Sequence, residues 1–193
     1  MTSKKTSYAL RIYRPHDPMR LFLTSQVRWL EALARDTSLP VPVPVINRRG
    51  TAVTIFRSNG ERFRATLTRW VSGERRFRAT GPGVRVLFEV GRAMATLHRH
   101  GQSFRPKGFR APRWDFSGLF GRASAWHPAH PPKLHASTRK LFDSITARCR
   151  EVMCTLGDGA EAFGLIHGDC TQANYFRDLG RIGLVDFGSF GLG

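Results

Sequence analysis

Early in the chain, apolar positions change period from two to roughly three and a half. From Ser7 to Arg14, Tyr8, Leu10 and Ile12 fall on one side and Ala9, Arg11 and Tyr13 on the other, the alternation of a half-buried strand. Asp17-Pro18 follows as an N-cap with proline at the first helical position. Met19, Phe22, Leu23, Val27, Leu30, Leu33 and Ala34 then recur at three- and four-residue steps, which predicts an amphipathic helix to about Asp36.

Leu39-Pro-Val-Pro-Val-Pro-Val45 breaks this pattern. Its prolines remove backbone donors and force extended backbone on their predecessors, so the stretch is a connector. Ala52 to Arg57 and Phe63 to Trp70 read as strands around the turn signal Ser58-Asn-Gly60, and Val71-Ser-Gly-Glu74 as a hinge. A second helix is predicted from about Pro82 to Gly101, with Val86, Val90, Met94 and Leu97 buried and Gly101 as its stop. Residues 102–133, rich in Pro, Gly and Trp, read as irregular. A third helix runs from Leu134 to Leu156, with Leu141, Ile145 and Val152 on one face, and Gly157-Asp-Gly159 ends it. Short strands are expected at Phe163 to Ile166, Tyr175 to Arg177 and Arg181 to Val185, the last two joined across Asp178-Leu-Gly180. There is no internal repeat.

The 193 residues suffice for one well-buried domain or two small lobes, since a chain of this size buries roughly 70% of its unfolded surface. No apolar run approaches the roughly 18 residues of a membrane span, and the basic start has no apolar stretch after it, so the expectation is a cytoplasmic, unprocessed protein. Cys149, Cys154 and Cys170 are odd in number and lack CxxC spacing, which leaves reduced thiols. The net charge of +17, from 31 basic and 14 acidic residues, favours polyanionic partners: nucleotides, nucleic acid or phosphate-bearing metabolites.

Chemistry concentrates near the end. A strand leads into His167-Gly-Asp169, four residues intervene before Asn174, and a hairpin delivers Asp186 twelve residues later. Phosphoryl transfer needs a carboxylate to orient or deprotonate the acceptor hydroxyl, and oxygen ligands for the magnesium that neutralises the phosphates. Asp169, Asn174 and Asp186 supply those groups in that order. Taken singly, each has a bland explanation as a cap or loop residue; the joint spacing between strands is what gives the pattern its specificity.

This closing pattern resembles the phosphotransferase enzyme family that includes aminoglycoside phosphotransferases and homoserine kinase-like enzymes, where His-Gly-Asp-x4-Asn replaces the kinase catalytic loop. Tyr8-Ala-Leu-Arg-Ile-Tyr-Arg-Pro15, Arg35-Asp-Thr-Ser-Leu-Pro-Val-Pro42, Ala95-Thr-Leu-His98 and Arg113-Trp-Asp-Phe-Ser-Gly-Leu-Phe-Gly121 extend the resemblance over nearly the whole chain. It implies an α+β, protein-kinase-like fold of two lobes, here residues 1–73 and 74–193. It implies ATP and Mg2+ as cofactors and a hydroxyl-bearing acceptor: an aminoglycoside, a homoserine-like amino alcohol, a sugar or a protein. By the same resemblance Asp169 is the catalytic base, Asn174 and Asp186 are magnesium ligands, Arg11 meets the nucleotide phosphates, and the segment Thr68-Arg-Trp70 contacts adenine through its backbone. His167 is expected to buttress the loop.

Two departures follow from the resemblance. Ser25-Gln26-Val27 stands where the family carries a Glu paired with the basic strand residue; Gln26 can accept a hydrogen bond but cannot neutralise charge. In the family, two strands and a glycine-bearing loop precede the Arg11 strand, and several helices lining the acceptor pocket follow Asp186. Against that pattern the chain is expected to be truncated at both ends, with apolar faces open to oligomerisation or aggregation.

Other candidates are weaker. Trp126-His-Pro-Ala-His-Pro-Pro-Lys-Leu-His135 gathers three of the seven histidines without an acidic or thiol ligand and reads as a solvated loop. Cys170 is either redox-sensitive or a small buried side chain. Arginines 57, 62, 64, 69, 75, 76 and 78 match no nucleic-acid-binding motif, so solvated faces beside a phosphate cleft explain them better than nucleic acid does. Two alternatives to a kinase remain: a catalytically impaired kinase-like chain that only binds, and a basic nucleic-acid binder.

Overall fold

The computed structural model describes residues 6–74, 83–122, 124, 135–178 and 180–193. The Asn-Gly signal holds: Asn59 and Gly60 take φ of 49° and 79°, the left-handed pair of a tight hairpin turn, and join β2 (Val53–Ser58) to β3 (Glu61–Arg69). β1 (Tyr8–Tyr13) pairs antiparallel with the other edge of β3, Arg11 opposite Thr66, giving the order β1-β3-β2. Beyond Thr66, where β2 ends, the proline-rich connector takes over its side of β3, with Val45 N–H donating to Leu67 O and Arg69 N–H to Val43 O, both at 2.8 Å.

β1 presents its less apolar side inward. Tyr13 is 2% exposed, whereas Tyr8, Leu10 and Ile12 are 49%, 64% and 53% exposed. The inward side is the one that carries Arg11, whose partner Asp186 lies beneath the sheet.

Asp17 caps as expected, its carboxylate accepting from Met19 N–H at 2.9 Å, but the cap opens a separate 3-10 turn, Pro18–Leu21. The helix proper, α1 (Leu23–Asp36), begins after it and buries Leu23, Val27, Trp29, Leu30 and Leu33. α2 (Val84–Ser103) buries Val90, Ala93 and Leu97, with Val86 and Met94 packed at the margin. Gly101 lies inside α2 rather than stopping it. A Cβ there would sit 2.8 Å from Leu165 Cβ, so the glycine serves close packing of helix on strand.

Within the stretch expected to be irregular, α3 (Phe116–Phe120) forms a short helix capped by Asp115, which accepts from Gly118 N–H at 2.7 Å. It packs on α4 (Ala136–Leu156) through Phe120 and Phe142, ring centroids 6.4 Å apart. The Leu141, Ile145 and Val152 face of α4 is exposed. β4 (Leu165–Ile166) pairs with β7 (Gly191–Leu192), a strand with no sequence signal, and β5 (Tyr175–Asp178) with β6 (Arg181–Leu184). Among the described residues no helix is long and apolar enough to cross a membrane.

One core joins these parts. Trp29 of α1 meets Phe187 edge-on at 5.7 Å and Phe190 at 6.1 Å, and Leu97, Leu165 and Leu184 close around them. The residues just after Asp186 are therefore held by the hydrophobic interior. Leu184 N–H donates to Pro40 O at 3.0 Å, tying the connector to the hairpin that delivers Asp186.

Candidate functional site

β4 ends at Ile166, and the chain turns through His167 and Gly168 into Asp169. His167 is buried, and its Nδ1 accepts from Asp169 N–H at 3.2 Å. The ring proton consequently resides on Nε2, which donates to Val185 O at 2.8 Å. Burial pushes the His167 pKa down against the pull of the Val185 carbonyl and the Asp169 and Asp186 carboxylates, in the same direction as the unprotonated Nδ1 that the Asp169 amide requires. The expected buttress is thus a tautomer-defined bridge from the Asp169 loop to the residue preceding Asp186.

A second bridge comes from Asn174. Its Nδ2 donates to Asp169 O and to Asp169 Oδ2, both at 2.9 Å, while its backbone carbonyl accepts from Val185 N–H at 2.9 Å. With Nδ2 directed at Asp169, the Asn174 Oδ1 is the end suited to a hard cation. Residues 169, 174 and 185–186 are thus drawn together by hydrogen bonds of 2.8–3.2 Å.

Asp186 adopts φ 56° and ψ 64°, left-handed for a residue with a Cβ. Its Oδ1 accepts from Gly188 N–H at 3.2 Å and from Arg11 Nη1 at 2.5 Å. Burial opposes the charge on Arg11, but Tyr13, Asp186 and Asp17 outweigh it and hold the guanidinium pKa above its ordinary value. Both bonds to Asp186 fall on Oδ1, so a cation can meet Oδ2 without displacing either. Among the described residues no three His, Cys, Asp or Glu side chains gather as a metal cluster. The donor set of Asn174 and Asp186 is all oxygen, which fits a magnesium ion whose other ligands are phosphates and water.

A cavity of about 360 Å³ lies between the sheet and this loop, lined by Arg11, Thr68, Trp70 and Asp186 among others. Asp169 and Asn174 are outside its lining, so Asp186 links the cavity to the loop. The amides of Arg69 and Trp70 are committed to Val43 O at 2.8 Å and Ser7 O at 2.9 Å. Thr68, Arg69 and Trp70 line the cavity, with Val71 next along the wall.

Two residues at the site make contacts that the sequence did not anticipate. Gln26, read from the sequence as able to accept a hydrogen bond, accepts one from Tyr13 Oη at 3.4 Å and also donates, its Nε2 bonding Phe187 O at 2.5 Å. Trp114 donates from Nε1 to Ser189 O at 2.9 Å. Only the Gln26 substitution itself could have signalled the first, and nothing beyond the Arg113-Trp-Asp context the second.

Cys170 is half-buried, and burial together with the neighbouring Asp169 raises its pKa, the opposite of an activated thiol. Arg57 and Arg62 face one another across β2 and β3 at the surface, and Arg64 donates to Arg20 O at 2.5 Å. Arg75, Arg76, Arg78 and residues 126–134 of the histidine-rich stretch lie outside the described residues; His135 immediately precedes α4.

A family model described as the phosphotransferase enzyme family matches residues 1–193. No curated protein matches. Among solved structures, a microcompartment-associated aminopropanol kinase is 26% identical with a TM-score of 0.80, over 98% of this chain and 60% of that one. An amicoumacin kinase solved with AMP-PNP and Ca2+ is 17% identical with a TM-score of 0.81, over 98% and 55% respectively. An aminoglycoside phosphotransferase from Alicyclobacillus acidocaldarius is 19% identical with a TM-score of 0.59, over 99% and 59%. The chain thus spans between 55% and 60% of the length of these structures.

Proposed function

The chain belongs to the phosphotransferase enzyme family, and from that premise we propose that it carries the nucleotide- and metal-binding part of an ATP- and magnesium-dependent kinase. The γ-phosphoryl group would pass to a hydroxyl of a small molecule, in keeping with relatives named for aminopropanol, amicoumacin and aminoglycosides; a protein hydroxyl is the other acceptor class. The proposal includes a cytoplasmic setting and a division into a sheet-bearing part, residues 1–73, and a helical part, residues 74–193.

The observation that carries this reading is the pair of bridges from Asp169 through Asn174 and His167 to Val185, which set the candidate base beside the candidate metal ligand. Asp169 Oδ2 is held by Asn174, leaving Oδ1 to receive the acceptor proton as the acceptor oxygen bonds to the γ-phosphorus and the bond to the ADP oxygen breaks. Arg11, anchored over the cavity, would meet the phosphates, and Thr68 and Trp70 the base. Asn174 and Asp186 would hold magnesium, which when bound neutralises the phosphate charge.

Two substitutions separate the roles. Asp186→Ala is expected to abolish magnesium-dependent ATP binding, measured by calorimetry, whereas Asp169→Ala should keep binding and lose turnover. Binding indifferent to both would overturn the assignment. Binding that depends on Asp186 without turnover on any hydroxyl acceptor would favour a chain that only binds.

A further inference from the structure

Gln26 is 6% exposed, and its amide is placed between two elements of the site. Nε2 donates to Phe187 O at 2.5 Å, and Oε1 accepts from Tyr13 Oη at 3.4 Å. The amide orientation is fixed by chemistry: a carbonyl only accepts, so the NH2 end must face Phe187. A carboxylate at position 26 would present oxygen to oxygen there.

Phe187 is the residue after Asp186, and its carbonyl also accepts from Phe190 N–H at 3.2 Å. The side chain from α1 therefore holds the short turn through which Asp186 keeps its left-handed backbone. Arg11 correspondingly pairs with Asp186 itself. On the far side, Trp114 holds Ser189 O, so the segment after Asp186 is pinned at two carbonyls by side chains from separate elements.

We propose that Gln26 is a positioning residue that fixes the metal-binding turn by donating to the Phe187 carbonyl, with Tyr13 orienting its amide. This rests on the kinase reading for its consequence, the placement of Asp186 toward a divalent cation, but the tether itself is a property of the nucleotide-free chain. In a buried setting the loss of such a donor leaves the Phe187 carbonyl with the Phe190 amide as its one remaining donor among the described residues, and one such hydrogen bond is worth about tenfold in the equilibrium it supports.

The test uses Gln26→Met, similar in length without the donor, and Tyr13→Phe, which removes only the hydroxyl. Hydrogen exchange of the Phe187 to Phe190 amides in the nucleotide-free protein should speed up about tenfold in Q26M and less in Y13F, with amides of β2 and β3 unchanged. ATP affinity with magnesium should fall about tenfold in Q26M while ATP affinity without magnesium holds. Unaltered exchange at these amides, in Q26M or, should Q26M fail to fold, in Y13F, overturns the proposal. So does exchange that rises equally throughout the chain, or an equal loss of affinity with and without magnesium, each of which would mark Gln26 as packing only. Asp186→Ala is the control for the kinase reading: if it leaves magnesium-dependent binding intact, that reading falls while the exchange data still decide the tether.

Discussion

Gly168, between His167 and Asp169, has φ of +79°, and a Cβ there would lie 2.0 Å from Ser189 O. Both conformation and space exclude a side chain, so Gly168→Ala must shift the Asp169 loop or the Ser189 segment. We expect at least about 2 kcal/mol of destabilisation, read by urea unfolding, with turnover lost ahead of nucleotide binding. His167 gives a pH prediction with a defined sign. Its folded pKa is lowered by burial, so below the unfolded value of 6.5 the unfolded chain binds a proton that the native state refuses. Stability is complete above about pH 6.5 and declines as pH falls toward the lowered value. His98, also lowered by burial, adds to the same slope, so His167→Gln should flatten thermal stability between pH 5 and 7 only in part.

At the scale of elements, periodicity and turn chemistry made much of the fold legible. The β2–β3 hairpin followed from Asn59-Gly60, α1 and α2 from their apolar stripes, and the adjacency of Asp169, Asn174 and Asp186 was implied by spacing alone. What escaped was decided by tertiary contact. Tyr8, Leu10 and Ile12 form the more apolar side of β1, yet Arg11 and Tyr13 turn inward because their partners, Asp186 and Gln26, come from elsewhere in the chain. β7 is two residues held by Leu165 and Ile166, too short for a period to register. Gly101 looked like a helix stop because glycine usually is one there; its true constraint is Leu165 against α2. Gly101→Val should therefore act as overpacking of the α2–β4 contact rather than as a change in helix length. The expected cost is about 1–3 kcal/mol in unfolding free energy, with helical circular dichroism retained.

For the molecule as a whole, an excess of positive charge and the proposed nucleotide site make different demands on one experiment. A net charge of +17 will draw any polyanion to arginine-rich surface, and such binding is screened by salt because its charges are exposed and dispersed. A nucleotide in the cavity that Arg11 and Asp186 line, as proposed, would instead require one geometry and a divalent cation. Binding to the native state alone adds about 2.7 kcal/mol at a hundredfold excess over Kd, which for a chain of this size raises Tm by roughly 5–10 °C. We expect that rise with magnesium and ATP, its loss in Asp186→Ala, and its persistence as salt is increased. Inorganic polyphosphate or single-stranded DNA should give a smaller rise that is indifferent to magnesium and to Asp186 and disappears with salt. If the two classes of ligand behave alike, the Arg11–Asp186 cavity is not what recognises ATP, and diffuse attraction to the arginines accounts for the binding.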